Sequence, residues 1–553
     1  MAEARDNHRL DNLSQRLVRE YWDFYPNAGS RIGRHEYDGR LPDLSATSLR
    51  HRVAQLNRGL AEVTSFPTET LTPDERLSHR LLELFLRREH FSITEMKNLE
   101  NNPTRQVGYL DVSGYLNRDY APLPDRVRSV SQALKQVPEF VEVMADSLGE
   151  QIGLPVLDSS IESYSGMARF YRVDLGRAAG DIGLRDVQEE FDLDRENAAA
   201  SLDRFVSALQ ERRDKARPGF AIGPDLYSSM LRTGEALDVP LDRLVSLGEA
   251  DLNENLRRLK DATAAIGPGR DVREVVAEIG SNHPAASALI PETRDMLEEI
   301  RQSVVDLNLV TVPSEDRCLV VETPTYMRYA FAAMDSAGAL EERATESFYY
   351  VTPVEPGWTH QQQEEWLSNF NYSTLRIVSI HEVYPGHFVH HLHNRYGRPL
   401  PLINRVANSY AFVEGWAHYT EEMMLEGGYG SDQPELLVTQ LLEALVRNCR
   451  YMCSLGMHTG DMTLDEATRY FMENAFMAEL PARREALRGT FDPGYLNYTL
   501  GKLMIMKLRE DYRQEQGGNF TLKGFHDRLL SGGAPALPLL REAMLEDPSG
   551  SPV

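Results

Sequence analysis

TLRIVSIHEVYPGHFVHHLHNRYG, Thr374 to Gly397, holds His381, His387, His390, His391 and His393, five of the chain's fifteen histidines within thirteen positions. Even scatter would put fewer than one there, so the concentration needs a chemical reason. The apolar run LRIVSI leads into the cluster, which argues against a merely solvated polar helix. Neutral imidazoles bind zinc and leave one coordination position open, and a neighbouring carboxylate such as Glu382 can take a proton from water activated by the metal. The familiar H-E-x-x-H form sets two histidines four apart on one helical face. Here His381 and His387 are six apart. At about 100° per residue, six positions rotate roughly 240°, so a regular helix would aim the two rings at different faces. Pro385 removes a helical hydrogen bond and crowds the carbonyl of His381, and Gly386 tolerates backbone that other residues avoid. The spacing therefore predicts a kink or single-turn bulge that gathers both imidazoles. A second arrangement takes His387 and His391, four apart on one face, as ligands with His381 behind them, and leaves Glu382 more than a turn from the metal.

Working outward, this helix is expected to start near Ser373, whose hydroxyl can cap it, and to stop at Gly397 with Pro399 just beyond. A connection of about a dozen residues leads to a second helix, Asn408 to Gly430, carrying Glu414, His418, Glu421 and Glu422. Antiparallel neighbours would let Glu414 approach His381 and His387 from the facing side. A carboxylate completes a two-histidine, one-glutamate zinc set, and Glu414 lies in the apolar context Phe412-Val413-Glu414-Gly415-Trp416, where an unpaired charge would be costly. Glu421 and Glu422 lie nearer the polar end. The next helix runs to His458, which borders the cleft or serves structure at a helix end. Thr463 and Glu466 then form a capping box. FDPGYLNYTLGKLMIMKLREDY, Phe491 to Tyr512, predicts a helix showing Tyr495, Tyr498 and Lys502, the last two sharing a face. Tyr498 could steady an oxyanion and Lys502 hold a substrate carboxylate, against the alternative of ordinary packing and a solvated lysine.

Upstream, Leu309 to Val312, Cys318 to Glu322 and Glu346 to Pro356 are β-rich, predicting a short sheet. An edge strand there could pair with an extended peptide, or the strands could form a plain structural hairpin. Before them, helical periodicity covers 8–25, 46–64, a start at Thr72-Pro73-Asp74, 126–149, 184–213, 225–234, 241–264 and 291–308. We therefore expect a mainly α protein with a small β-sheet. Residues 1–308 would form a helical scaffold region and 309–553 a zinc-site catalytic region, integrated in one fold around a cleft.

At 553 residues, 42% hydrophobic and 26% charged, the composition is that of a globular protein. A formal charge of −25 argues against nucleic acid and anionic membrane surfaces as partners. The amino terminus shows no apolar signal-peptide core and no run has membrane-spanning length, so a cytoplasmic location is expected. Three cysteines, Cys318, Cys449 and Cys453, fit a reducing compartment, the last two as small core residues.

HEVYPGH, VEGWAHY-x-E and DPGYLNYTLGK, with GRHEYDGRLPDLS near the start and VVETPTYMRYAF ahead of the histidines, resemble the bacterial proteins known as domain of unknown function 885. The likeness spans nearly the whole chain in consistent order. That family is grouped with gluzincin-type zinc metallopeptidases and is similar in plan to helical, deep-channel peptidases such as angiotensin-converting enzyme and dipeptidyl peptidase III. The resemblance implies His381, His387 and Glu414 as zinc ligands, Glu382 as general base and Tyr498 as transition-state donor. It implies zinc as cofactor and a short peptide or peptide-like substrate. Tyr495 departs from the pattern, standing where the family's more usual PGQA sequence has glutamine. The expected function is amide hydrolysis of short peptides, as a carboxypeptidase or dipeptidase, with Lys502, Tyr495 and His458 as substrate contacts. Hydrolysis of a non-peptide amide and metal-free peptide binding are the alternatives.

Overall fold

The computed structural model describes residues 2–324, 328 and 331–553. Thr325, Tyr326, Met327, Tyr329 and Ala330, within the segment VVETPTYMRYAF, lie outside the described residues. The chain is mainly helical and forms two compact units, residues 1–222 with 337–345, and residues 223–336 with 346–553.

In the first unit, helix α1 (Ala46–Thr64) starts where the Ser45 side chain accepts from the Ser48 amide. Helix α2 (Pro73–Thr94) starts at a capping box in which Thr72 and Glu75 satisfy each other's backbone amides, with proline in the first turn. Its apolar stripe, Leu81, Leu82, Phe85 and Leu86, is buried. The periodic stretch expected over 126–149 forms two helices, Leu123–Leu134 and Val137–Ser147, because Pro138 has no amide to continue the first and instead opens the second. Helices α3 (Leu154–Arg169) and α4 (Arg185–Gln210) pack against one another and complete the described core, burying Leu157, Tyr164, Phe191 and Leu202.

The second unit begins at Gly223, well before the boundary expected at 308/309. The reason lies in helix α5 (Leu241–Ile266), which the scaffold region was expected to contain. Gly248 on α5 leaves room for the Tyr451 ring, which a Cβ there would meet at 2.4 Å. Tyr451 donates its hydroxyl to the Leu244 carbonyl at 2.9 Å, and Asn255 donates to the Asn448 side chain at 2.8 Å. These bonds tie α5 to the helix that carries Tyr451.

A three-stranded sheet follows, β1 (Cys318–Glu322), β2 (Ala332–Asp335) and β3 (Ser347–Val351), in the order β1-β3-β2. β1 runs parallel to β3, with Cys318 opposite Ser347, and β2 runs antiparallel to it, with Met334 opposite Tyr349. Two strands match expectation. Leu309–Val312 is no strand, because its backbone is engaged by side chains: His526 Nδ1 meets the Leu309 carbonyl at 2.7 Å and the Thr311 amide donates to Asp527 at 2.8 Å. β2 carries no β-rich signal and is held by its pairing to β3.

The histidine stretch forms two helices, α6 (Tyr372–Glu382) and α7 (His387–Tyr396). Asn371, not Ser373, caps α6 by accepting from the Thr374 amide at 2.9 Å, and Gly397 closes α7 as expected. They are followed by α8 (Tyr410–Glu426), α9 (Pro434–Thr459), α10 (Glu479–Phe491) and α11 (Asn497–Gln516). Helices α8 and α11 cross at glycines on both sides: a Cβ on Gly415 would lie 2.5 Å from Gly501 Cα, and one on Gly501 would lie 1.8 Å from the Ala411 carbonyl. That close approach carries Tyr498 of α11 to the part of α8 that presents Glu414. Among the described residues no helix is long and apolar enough to cross a membrane.

Candidate metal centre

The break between α6 and α7 solves the spacing problem set by six positions. The Gly386 amide donates to the Ile380 carbonyl at 2.9 Å, folding the chain back onto the end of α6. A Cβ at Gly386 would sit 1.7 Å from the His381 carbonyl oxygen, so only glycine permits that return. The carbonyls of Pro385 and Gly386 accept from the buried Trp416 indole at 3.1 and 3.2 Å, and the Gly386 oxygen also receives the His390 amide of α7 at 3.1 Å. The break thus does the work expected of a bulge, and Trp416 on α8 holds it.

The His381 and His387 rings come to a centroid separation of 4.9 Å with planes at 89°. Glu414 approaches both, its Oε2 lying 3.7 Å from His381 Nε2 and 3.5 Å from His387 Nε2. The potential ligand atoms of these three residues all lie within 4.8 Å of one another, and among the described residues no other group of three or more His, Cys, Asp or Glu side chains meets that condition. His391 is not in the set, so the arrangement pairing it with His387 is replaced by the pair His381 and His387.

These separations discriminate between two chemistries. An imidazole and a carboxylate bonded directly meet at about 2.7–2.9 Å. Two atoms sharing a tetrahedral zinc at 2.0–2.1 Å each stand about 3.4 Å apart. The observed 3.5 and 3.7 Å are too long for the first and fit the second. The donor set, two imidazoles and one carboxylate, is also one that zinc accepts with a position left over.

Behind the triad stands a carboxylate that the sequence reading passed over. Glu421 is fully buried, and its Oε1 meets His381 Nδ1 at 2.7 Å. Arg447 approaches the same oxygen at 3.1 Å, and His418 Nδ1 lies 3.3 Å from Oε2. Burial opposes the charge on Glu421, but Arg447, His418 and His381 outweigh it and hold the carboxyl well below its ordinary range. The bond to Nδ1 fixes the proton there and turns Nε2 toward Glu414, the orientation a metal ligand needs. Burial likewise disfavours the His381 cation, yet Glu414 and Glu421 push its pKa up to about 9. Glu421 lies two turns after Glu414 on α8, so helical periodicity, had it been applied from Glu414, would have placed Glu421 on the same face.

Glu382, the last residue of α6, receives the Met334 amide of β2 on its Oε2 at 3.1 Å. Met334 faces Tyr349 in the register, and Phe331 pairs with Thr352 through the Thr352 amide at 3.2 Å. Antiparallel alternation therefore directs the backbone of Ala332 and Met334 away from β3 and that of Ala333 and Asp335 toward it. Tyr498 packs edge-on to Tyr410 at 5.8 Å, and Arg488 donates to the Tyr410 hydroxyl at 2.9 Å. Burial raises the Tyr498 pKa and Glu414 adds to that, while Arg450 and Arg488 oppose them.

The three residues expected to contact substrate sit elsewhere. Lys502 is 2% exposed in its side chain and lies between Glu422 at 3.3 Å and Asp251 at 3.4 Å, with Arg258 completing the cluster at 2.6 Å from Glu422. It is a structural cation, committed before any ligand arrives. Tyr495 is fully buried against Gly489 and Met457. His458 is buried, its Nε2 donating to the Gly489 carbonyl at 2.7 Å and its ring stacked on Tyr227. Cys449 and Cys453 are likewise buried on α9, as expected of core residues.

Fold and site together define a mainly helical protein with a partly buried two-histidine, one-glutamate cluster beside a small sheet. The chain belongs to the family of bacterial proteins of unknown function called DUF885, which matches residues 26–544. No curated protein matches it. It shares its fold with a solved candidate lipoprotein of unknown function from Shewanella oneidensis, at a TM-score of 0.81 and 24% identity over 97% of this chain and 100% of that one. A candidate lipoprotein from Colwellia psychrerythraea is similar at a TM-score of 0.82 and 15% identity, over 97% of this chain and 98% of that one.

Proposed function

We propose that the protein is a zinc-dependent hydrolase of gluzincin type that cleaves amide bonds in short peptides, from the carboxyl end or in dipeptides. The carrying observation is the Glu414 carboxylate, standing off both imidazoles at the separation of shared metal ligands and not of hydrogen-bond partners. His381, His387 and Glu414 hold the ion, and Glu421 fixes the tautomer of His381. Bound there, zinc acidifies water toward neutral pH and polarises the scissile carbonyl.

The remaining steps belong to side chains. Glu382 accepts the proton of the attacking water and delivers it to the leaving nitrogen. Tyr498 donates its hydroxyl to the oxyanion that develops on the carbonyl. The outward-facing backbone of β2, beside Glu382, suits an extended main chain and supports a peptide substrate.

The experiment is a panel of short peptides and N-acylated amino acids assayed with the zinc-loaded protein, its chelator-treated form and the Glu382→Gln variant. Peptide turnover should vanish with the metal and return on adding zinc. Glu382→Gln should keep about one equivalent of zinc and lose about 10²–10⁴-fold in rate, because it removes a base and not a ligand. Full activity in that variant would reject Glu382 as base, and cleavage confined to the acylated amino acids would move the substrate away from peptides.

A further inference from the structure

We infer that Arg488 recognises the C-terminal carboxylate of the substrate, an inference that rests on the reading of this site as a peptide hydrolase. A cation beside an amide-cleaving site sets which end of a chain is presented, and Lys502, the residue expected to do so, is locked between Glu422 and Asp251. The arginines near Tyr498 offer the alternative. Arg450 lies 4.9 Å over the Tyr498 ring but is held by Glu485 through two bonds of 2.7 and 2.8 Å. Arg488 differs in both respects. Its side chain is one-third exposed, against 2% for Lys502. Its bonds to Tyr410 at 2.9 Å, Asp492 at 3.3 Å and Tyr498 at 3.5 Å all leave from Nη2. Nε and Nη1, on the rest of the guanidinium, take part in none of them. Those bonds fix the guanidinium plane through Nη2 and leave Nε and Nη1, on separate edges, each able to donate a charge-assisted hydrogen bond to a carboxylate.

The placement limits the ligand further. Arg488 Nη2 lies 3.5 Å from the Tyr498 hydroxyl, and that hydroxyl would stand about 2.7 Å from the oxygen it stabilises. The cation is therefore at most about 6 Å from that oxygen, the reach of one or two extended residues at about 3.4 Å each. A carboxylate on Arg488 therefore lies one or two residues from a carbonyl at the triad. The hydrolase would release one or two residues from a free carboxyl end, and an amidated end would lose the anchor.

The test is calorimetric binding to the zinc-loaded Glu382→Gln protein, which holds peptide without turning it over. Three probes of equal length are used: a neutral peptide acid, its C-terminal amide, and an amide with glutamate at the second position. The acid should bind about tenfold or more tightly than its amide, the glutamyl amide should not recover the difference, and adding Arg488→Gln should bring the acid-to-amide ratio to about one. Arg488→Lys should restore part of the ratio, with zinc content and melting temperature verifying the fold of each variant. A ratio near one before substitution, an unchanged ratio in Arg488→Gln, or a glutamyl amide that binds like the acid would each overturn the inference. Absence of turnover in the unsubstituted protein would reject the hydrolase reading alone, because the binding ratio is measured without it.

Discussion

Two histidines, one in each unit, show what separates a closed polar cluster from an open one. In the first unit, His35 Nδ1 lies 3.1 Å from Asp38 and Nε2 lies 2.7 Å from Glu341, while the ring stacks on Tyr120 at 3.7 Å. Both nitrogens are spent at hydrogen-bond length. In the second unit, His381 spends only Nδ1, on Glu421, and presents Nε2 to Glu414 across 3.7 Å. The two rings have similar carboxylate-rich surroundings, so counting acidic neighbours would not tell them apart. The commitment of the second nitrogen does. The same contrast separates Lys502, closed in by Glu422 and Asp251, from Arg488, whose bonds leave part of its fork uncommitted.

The contrast can be broken most forcefully at the closed lysine. Lys502→Met removes the cation between Glu422 and Asp251, leaves buried charge uncompensated, and should cost about 3–5 kcal/mol of unfolding free energy. Denaturant titration measures this, with zinc content unchanged in the folded protein. A stable variant with weakened peptide binding would return Lys502 to the substrate site.

Glu421→Gln tests the open side of the comparison. Losing the carboxylate that orients His381 should weaken zinc about 10–100-fold in competition with a chelator. Undiminished affinity would mean that the bond to Nδ1 has no bearing on the metal.

The smallest effect is expected at His35. Burial lowers its pKa, but Asp38 and Glu341 outweigh that and raise it above the ordinary value. A raised pKa in the folded state gives stability that is complete below about pH 6.5 and fades as pH climbs through the folded value. His35→Gln should therefore cost at most about 1 kcal/mol near pH 6 and less near pH 9, read from paired denaturant titrations. A penalty that grew with pH would reverse the assignment.

Much of the centre was legible because its parts announce themselves locally. His381, His387 and Glu382 share one short stretch, and Glu414 stands out as a charge in an apolar context. The break at Val383 to Gly386 was half legible: proline and glycine mark a distortion, but the Trp416 bonds that hold it come from another helix. Lys502 was misread because its partner Asp251 lies 251 positions away and no local pattern reports a buried ion pair. The face shared by Tyr498 and Lys502 gave no indication of how deep each side chain lies. β2 was missed since Ala332-Ala333-Met334-Asp335 has no β preference of its own and takes its form from β3. Arg488 carried no signal beyond its type, and only the crossing of α8 and α11 shows what it adjoins.

The central claim is that one ion sits among His381, His387 and Glu414, and diffraction from crystals of the zinc-loaded protein, recorded on either side of the zinc absorption edge, tests it directly. The account predicts a single anomalous peak about 2.0–2.1 Å from Nε2 of both imidazoles and from a Glu414 oxygen. A map without that peak, with Glu414 closed onto the imidazoles in hydrogen bonds of about 2.8 Å, would contradict it.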